Sequence, residues 1–205
     1  CAALKQRGLI VQSFKKGPDY IDPYWLSQAT GRDCYNLDFY TMEREEILSL
    51  MKNKSQNADV TLIEGNKGMY DGLDLDGSNS NAALATLTST PVILVLNARG
   101  MTRGIAPLIL GYQAFDKNVS IKGVILNRLG GSRHESKLRN VIEHYTDVEV
   151  VGAIHNDDRF DIDERHLGLV TGHEDPFCTE NINLLADAIT DQVNLDGVIA
   201  IARTT

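Results

Sequence analysis

The chain is short of cysteine. Its three, Cys1, Cys34 and Cys178, lie far apart with no C-x-x-C spacing. That argues against a disulfide framework and a zinc site, and fits a reducing, cytoplasmic setting. Five histidines include no H-E-x-x-H pattern and read as surface or loop residues. No apolar run approaches the length of a membrane span and no signal peptide opens the chain, so no membrane association is expected. Basic charge is scarce too: 20 Lys and Arg against 28 Asp and Glu leave a net charge of −8 with no basic cluster. A nucleic-acid partner is therefore not expected. Repeats, low-complexity segments and linkers are also lacking, and 205 residues suit one ordinary domain with a full core.

What is present is an alternation. Cys1 to Gln6 is helix-compatible, with Arg7-Gly8 as a stop, and residues 9–14 read as a buried strand. Thr41 offers an N-cap for a helix running to about Lys54, its capping box left incomplete by Arg44. Val60 to Ile63 is a short strand ending at Glu64-Gly65, and Asn81 to Leu87 a small helix. Pro91 to Leu96 reads as a strand buried on both faces, followed by a helix over roughly 103–114. Ile121 to Leu126 is a strand ended by Asn127-Arg128, Ser136 to Tyr145 is amphipathic, and Val148 to Ile154 is a further strand. From Ile182 to about Ala202 the apolar spacing predicts one or two helices. Strands alternating with helices imply an α/β, doubly wound, mostly parallel sheet.

The chemistry gathers at strand ends. Phe14-Lys15-Lys16-Gly17-Pro18-Asp19-Tyr20-Ile21-Asp22-Pro23 follows the first strand, at the carboxyl end where open α/β sheets place ligands. Pro18 and Pro23 push Gly17 and Asp22 toward extended geometry, so two carboxylates are held on a stiff loop suited to a divalent cation or an electrophile. A Pro/Gly turn with two solvated acids is the plain alternative. Glu64 closes another strand beside glycines that would let phosphates approach, a setting that fits Mg²⁺ in a nucleoside triphosphatase; a strand-terminal turn cap is the alternative. Asp74-Leu75-Asp76-Gly77 looks like a calcium loop but lacks its third alternating acid and has Ala85 at position 12, so an EF-hand is rejected.

These segments resemble a family. F-K-x-G-P-D-Y-I-D-P at 14–23, I-E-G-x-x-G-x-x-D-G at 63–72, V-L-N-A-R-G-M at 95–101, G-V-I-L-N-R at 123–128 and E-R-H-L-G-L-V at 164–170 occur in the order found in the cobyrinic acid a,c-diamide synthases. Asn36-Leu37-Asp38 matches a further N-L-D. Family members are two-domain enzymes, and the resemblance implies a P-loop NTPase fold of dethiobiotin-synthetase type for residues 1–205. It implies ATP and Mg²⁺ as cofactors, a tetrapyrrole substrate and a C-terminal glutamine amidotransferase domain. The chemistry implied is phosphorylation of a ring acetate carboxylate and attack of ammonia on the acyl phosphate.

Carried over residue by residue, Asp19, Asp22, Glu64 and Asp71 take catalytic roles, with Asp22 and Glu64 on the metal. Tyr20, Ile21 and Asp38 fall on the substrate side. Asn127 and Arg128 fall at the nucleotide, where an Asn amide donates to and accepts from an adenine edge. Lys15 is either a phosphate contact or a solvated loop lysine. Cobyrinic acid, hydrogenobyrinic acid, sirohaem and nickel-sirohydrochlorin all present acetate carboxylates and are not separated by sequence. A homodimer is compatible with the fold.

Departures from the pattern are specific. Asn97 replaces an acid, Asp163 a proline, and His155 stands where the family usually carries proline. No G-x-x-x-x-G-K-[ST] occurs, so the first strand and phosphate loop, roughly 20–25 residues, are expected upstream. Cys178 has no nucleophile elbow around it and reads as an ordinary loop cysteine. The rival readings are a dethiobiotin-synthetase-like carboxylate-activating enzyme and a non-catalytic nucleotide-binding domain. The 205-residue chain by itself is expected neither to hydrolyse ATP nor to release ammonia from glutamine; robust turnover of the purified chain in a coupled assay would contradict this.

Overall fold

The computed structural model describes residues 1–160, 164–165, 168–169 and 178–204. They form two compact units, Cys1–Thr88 with Phe160–Asp187 and Ser89–Arg159 with Ala188–Thr205. Each carries a three-stranded, wholly parallel sheet, as the strand–helix alternation predicts.

In the first unit, α1 (Ala2–Gln6) leads into β1 (Val11–Lys16), α2 (Asp22–Thr30), β2 (Tyr35–Leu37), α3 (Arg44–Lys54), β3 (Val60–Glu64) and α4 (Asn81–Leu87). The strand order is β2-β1-β3, which makes β1 the central strand and buries all six of its residues. Four of the six are polar, so burial has to be offset by hydrogen bonds. Gln12 does this on both sides of its amide: Nε2 donates to the Asp33 carbonyl at 2.8 Å, and Oε1 accepts from Arg32 Nε at 3.0 Å. Phe14 forms the apolar centre with Leu37, Ile47 and Leu84.

The local readings need three corrections here. Helix α2 was not foreseen; Asp22 is its first residue rather than extended, because Pro23 in a first turn forfeits only an N–H that had no partner anyway. Gly17 is also not extended but at φ +87°, a left-handed conformation that glycine adopts without strain. The N-cap of α3 is Glu43, not Thr41, and a complete capping box joins it to Glu46. The Thr41 hydroxyl instead donates to Asp38 Oδ2 at 2.9 Å.

The second unit contains β4 (Val92–Asn97), α5 (Ile105–Phe115), β5 (Ile121–Leu129), α6 (Ser132–Tyr145) and β6 (Glu149–His155), with strand order β4-β5-β6. Strand β5 runs through Asn127 and Arg128 to Leu129 instead of stopping at Leu126, with a register shift where Arg128 turns to φ +60°. Strand β4 is not buried on both faces. Val95 is 62% exposed and Val92 and Ile93 are half-buried, because β4 is an edge strand paired with β5 alone among the described residues. Helix α6 turns Leu138 and Ile142 fully inward.

Short antiparallel strands β7 (Glu164–Arg165) and β8 (Gly168–Leu169) follow, then α7 (Cys178–Gln192) and α8 (Leu195–Ala202). Cys178 thus begins a helix and is buried. Within the motif at 163–170, Asp163, His166, Leu167 and Val170 lie outside the described residues.

Ile47→Ala removes a fully buried side chain from the Phe14 centre and should cost about 2–5 kcal/mol of unfolding free energy in urea. A loss under about 0.5 kcal/mol, the scale of a surface change, would show that α3 does not hold this core.

Candidate functional site

The parallel register aligns the carboxyl ends of β1 and β3 so that Lys15 stands beside Glu64. Paired residues of neighbouring strands share a face. On that face Lys15 Nζ meets Asp22 Oδ2 at 2.6 Å and Glu64 Oε2 at 3.5 Å, and donates to the Gly65 carbonyl at 3.2 Å. Lys15 is 4% exposed, so it is not a solvated loop lysine. Burial alone would lower its pKa. The hydrogen bond it donates to Asp22 and the charges of Glu64, Asp22 and Asp19 outweigh that and raise it. Glu64 is raised as well: loss of water and the neighbouring Asp22 and Asp19 charges push its carboxyl up, against Lys15 pulling down. Its side chain remains 49% exposed, leaving it accessible to a ligand.

Asp19 builds the entry to α2. Its Oδ1 accepts from the Ile21 N–H at 2.9 Å and the Asp22 N–H at 3.2 Å, satisfying donors at the helix start. Its backbone carbonyl accepts from Asn36 Nδ2 at 2.5 Å. The buried Asn36 Oδ1 has no hydrogen-bond partner among the described residues. Tyr20 is 76% exposed and Ile21 half-buried.

Asp71 lies on the loop after β3, where its Oδ2 accepts from the Gly68 N–H at 3.0 Å. The glycines of this loop make room for the chain's own side chains, a different reason from phosphate approach. A Cβ on Gly68 would lie 2.5 Å from Asp71 Oδ2. Sequence reasoning missed the clamp that shapes the loop: Asn81 Oδ1 accepts from the Asn66 N–H at 3.1 Å, and its amide donates to the Asn66 carbonyl and, at 3.0 Å, to that of Gly68. As the first residue of a small helix it gave no signal beyond its position. Asp74 and Asp76 spend their oxygens on Ser78 and Asn79.

Lys16 leaves β1 on the opposite face from Lys15, and Asp38 directly follows β2. They line a cavity of about 440 Å³ with Phe39, Tyr40, Lys67 and Asp71 among its walls. Asp38 is buried and accepts from Tyr40 N–H at 3.2 Å as well as from Thr41.

In the second unit, Asn127 pairs in register with Asn97. Asn127 Oδ1 accepts from the Arg128 N–H at 2.9 Å and Asn97 Oδ1 from the Arg99 N–H at 3.1 Å, the latter a turn contact that a carboxylate would make equally well. Arg128 is exposed. His155 departs from proline to some purpose. Its N–H donates to Gln192 Oε1 at 2.8 Å, a bond proline cannot make, and its Nε2 sits 2.8 Å from Glu135 Oε2. Among the described residues no three His, Cys, Asp or Glu side chains cluster as a metal cage, and no helix is long and apolar enough to cross a membrane.

A family profile described as an AAA domain matches residues 9–162. The chain belongs to that family. Its curated relatives include the cobyrinate a,c-diamide synthase of Magnetococcus marinus, 44% identical over 99% of this chain and 44% of that protein. That of Methanosarcina acetivorans is 46% identical over 84% of this chain and 36% of its own length. That of Listeria monocytogenes is 40% identical over 98% of this chain and 45% of its own. The chain thus spans less than half the length of these relatives.

The electrostatics of the AAA-domain site are testable directly. Glu64 should titrate above the ordinary glutamate value in carboxyl-carbon NMR, and Lys15→Met, which deletes the cation opposing that rise, should move it higher. A Glu64 titration unmoved or lowered in Lys15→Met would contradict the pairing.

Proposed function

We propose that this chain is the ATP- and substrate-binding part of a cytoplasmic, ATP-dependent carbon–nitrogen ligase that amidates the a and c acetate carboxylates of a cobyrinate-type tetrapyrrole. The observation that carries this reading is the Lys15 ammonium held between Asp22 and Glu64 at the strands' carboxyl end. It is supported by identity of about two residues in five to curated cobyrinate a,c-diamide synthases across nearly the whole chain. Those names favour the amidase over a dethiobiotin-synthetase-like enzyme.

A carboxylate resists nucleophiles because its oxygen is a poor leaving group. In the proposed reaction a ring carboxylate oxygen attacks the γ-phosphorus of ATP, and ADP departs. Ammonia then adds to the carbonyl carbon of the acyl phosphate, the ammonia proton is lost, and inorganic phosphate leaves with the former carboxylate oxygen. Glutamine hydrolysed by an amidotransferase domain supplies the ammonia. Little covalent work falls to the protein, which positions partners and neutralises charge.

Asp22 and Glu64 would hold Mg²⁺. Two hard oxygen donors converging on one cation suit an ion usually bound by one or two carboxylates with phosphate and water, and it would neutralise charge on the phosphates. Lys15 supplies the fixed cation beside the transferring phosphoryl. Asp19 holds Asp22 at the helix start, while Tyr20 and Ile21 shape the substrate side of the turn. Asp71 faces the substrate from the clamped loop. Asn127 and Arg128 bind the adenine end of the nucleotide. No G-x-x-x-x-G-K-[ST] is present in the 205 residues, so they supply no β- and γ-phosphate cradle of that kind.

Glu64→Gln keeps the shape and removes the charge. In the complete protein it should lower amide formation from cobyrinate at least roughly a thousandfold, while glutaminase activity partly survives. Near-normal amidation would overturn the assignment of Glu64.

A further inference from the structure

Adjacent residues of a strand leave it on opposite faces, and β1 uses this to place two lysines in two different settings. The ammonium of Lys15 is satisfied by Asp22 and Glu64. That of Lys16, on the other face, is not. The residue is 9% exposed, and its one hydrogen bond among the described residues goes to a neutral acceptor, Asn66 Oδ1 at 3.2 Å. Burial pushes its pKa down, an effect that Asp38 opposes and the nearby Lys67 reinforces. The facing carboxylate of Asp38 is already engaged by the Tyr40 N–H and the Thr41 hydroxyl. A cation left this way is stabilised by any anion that reaches it.

The cavity in front of it is shaped for one. Its volume is about 440 Å³, and a second cation, Lys67, lies on its wall with φ +52°, an uncommon conformation for a lysine. Tyr40 and Leu73 also line it and are 64% and 72% exposed, so an apolar rim stands beside the two lysines, while the two acids of the wall are engaged, Asp38 by the Tyr40 N–H and the Thr41 hydroxyl and Asp71 by the Gly68 N–H. An inorganic anion would leave that rim unused. An amphipathic ligand with a carboxylate on a short arm and a large apolar body would cover both. The cavity also shares Gly17, Pro18 and Asp71 with the loops that carry the acid cluster around Lys15. One molecule could therefore occupy both faces of the loop.

We propose that this cavity is the anchoring subsite for a non-reacting carboxylate of the macrocycle, taken by Lys16 and Lys67 while Tyr40 and Leu73 cover the adjoining apolar edge. It rests on the reading of the substrate as a polycarboxylate tetrapyrrole. Such a substrate carries more carboxylates than are amidated, and holding one that does not react sets which acetate faces the acid cluster.

The test is equilibrium binding to the complete protein, followed by the macrocycle's absorbance. The two ligands are cobyrinate and a cobyrinate whose propionate arms are already amides while its acetates stay free. Wild type should bind the free acid roughly tenfold or more tighter than the propionamide, since a charge-assisted hydrogen bond is lost with the amide. Lys16→Gln should erase most of that preference and Lys16→Arg keep it. Lys67→Gln, at an exposed position where folding is not at stake, should reduce it in part. A preference that persists in both Gln variants overturns the subsite. So does a Lys16→Gln protein that loses affinity for Mg-ATP and keeps its affinity for cobyrinate, which would assign the anion to the nucleotide. If wild type binds cobyrinate and the propionamide equally, the subsite falls and the amidase reading stands. If it binds neither, the amidase reading falls and the subsite with it.

Discussion

The buried ammonium of Lys15 is the constraint on which the first unit depends. It lies in a central strand where water cannot solvate it, so carboxylates have to come to it. Asp22 comes from the start of α2 and Glu64 from the end of β3, and one cation thereby ties three elements at one point. The turn between β1 and α2 follows from this. Asp19 accepts from the Ile21 and Asp22 N–H groups and so delivers Asp22, Gly17 adopts a left-handed φ to begin the turn, and Asn36 fastens the Asp19 carbonyl from β2. Each of these contacts is ordinary; their joint effect is a pair of acids held at fixed spacing beside a fixed cation.

Much of this was legible in the residues. The strand–helix alternation foretold parallel sheets, and the bounds of α4 and nearly those of β3 could be read directly from the apolar runs and their stops. The acids at 19, 22 and 64 stood out because they sit at strand ends among proline and glycine. Less visible was anything set by pairing across the sheet. That Lys15 is buried, and on Glu64's face, depends on β1 being central and on a register that no local pattern encodes. Asn81 and Asn66 were silent for the same reason, since a side-chain amide reveals its partners only in three dimensions.

The misreadings have two causes. Pro23 was taken to extend Asp22, but a proline in a helix's first turn is as comfortable as one in a loop, and the Asp19 carboxylate holding the Ile21 and Asp22 N–H groups decided between them. Thr41 has the chemistry of an N-cap, and Asp38 claimed its hydroxyl first. Arg128 was read as the end of β5, and the strand instead continues through a register shift to Leu129. In the first two cases local propensity offered two outcomes and a short-range side-chain hydrogen bond selected one, while at Arg128 pairing with β6 carried the strand on.

Two faces of one strand thus give two settings for a lysine, one closed by acids and one open toward a cavity. The central claim is that the closed one serves to activate a carboxylate by phosphorylation. Its most direct measurement follows oxygen: the complete protein is supplied with ATP, glutamine and cobyrinate labelled with ¹⁸O in its acetate carboxylates. The account predicts one labelled oxygen appearing in inorganic phosphate for each amide formed, with ADP as the other product. Unlabelled phosphate, or label found in AMP, would contradict it.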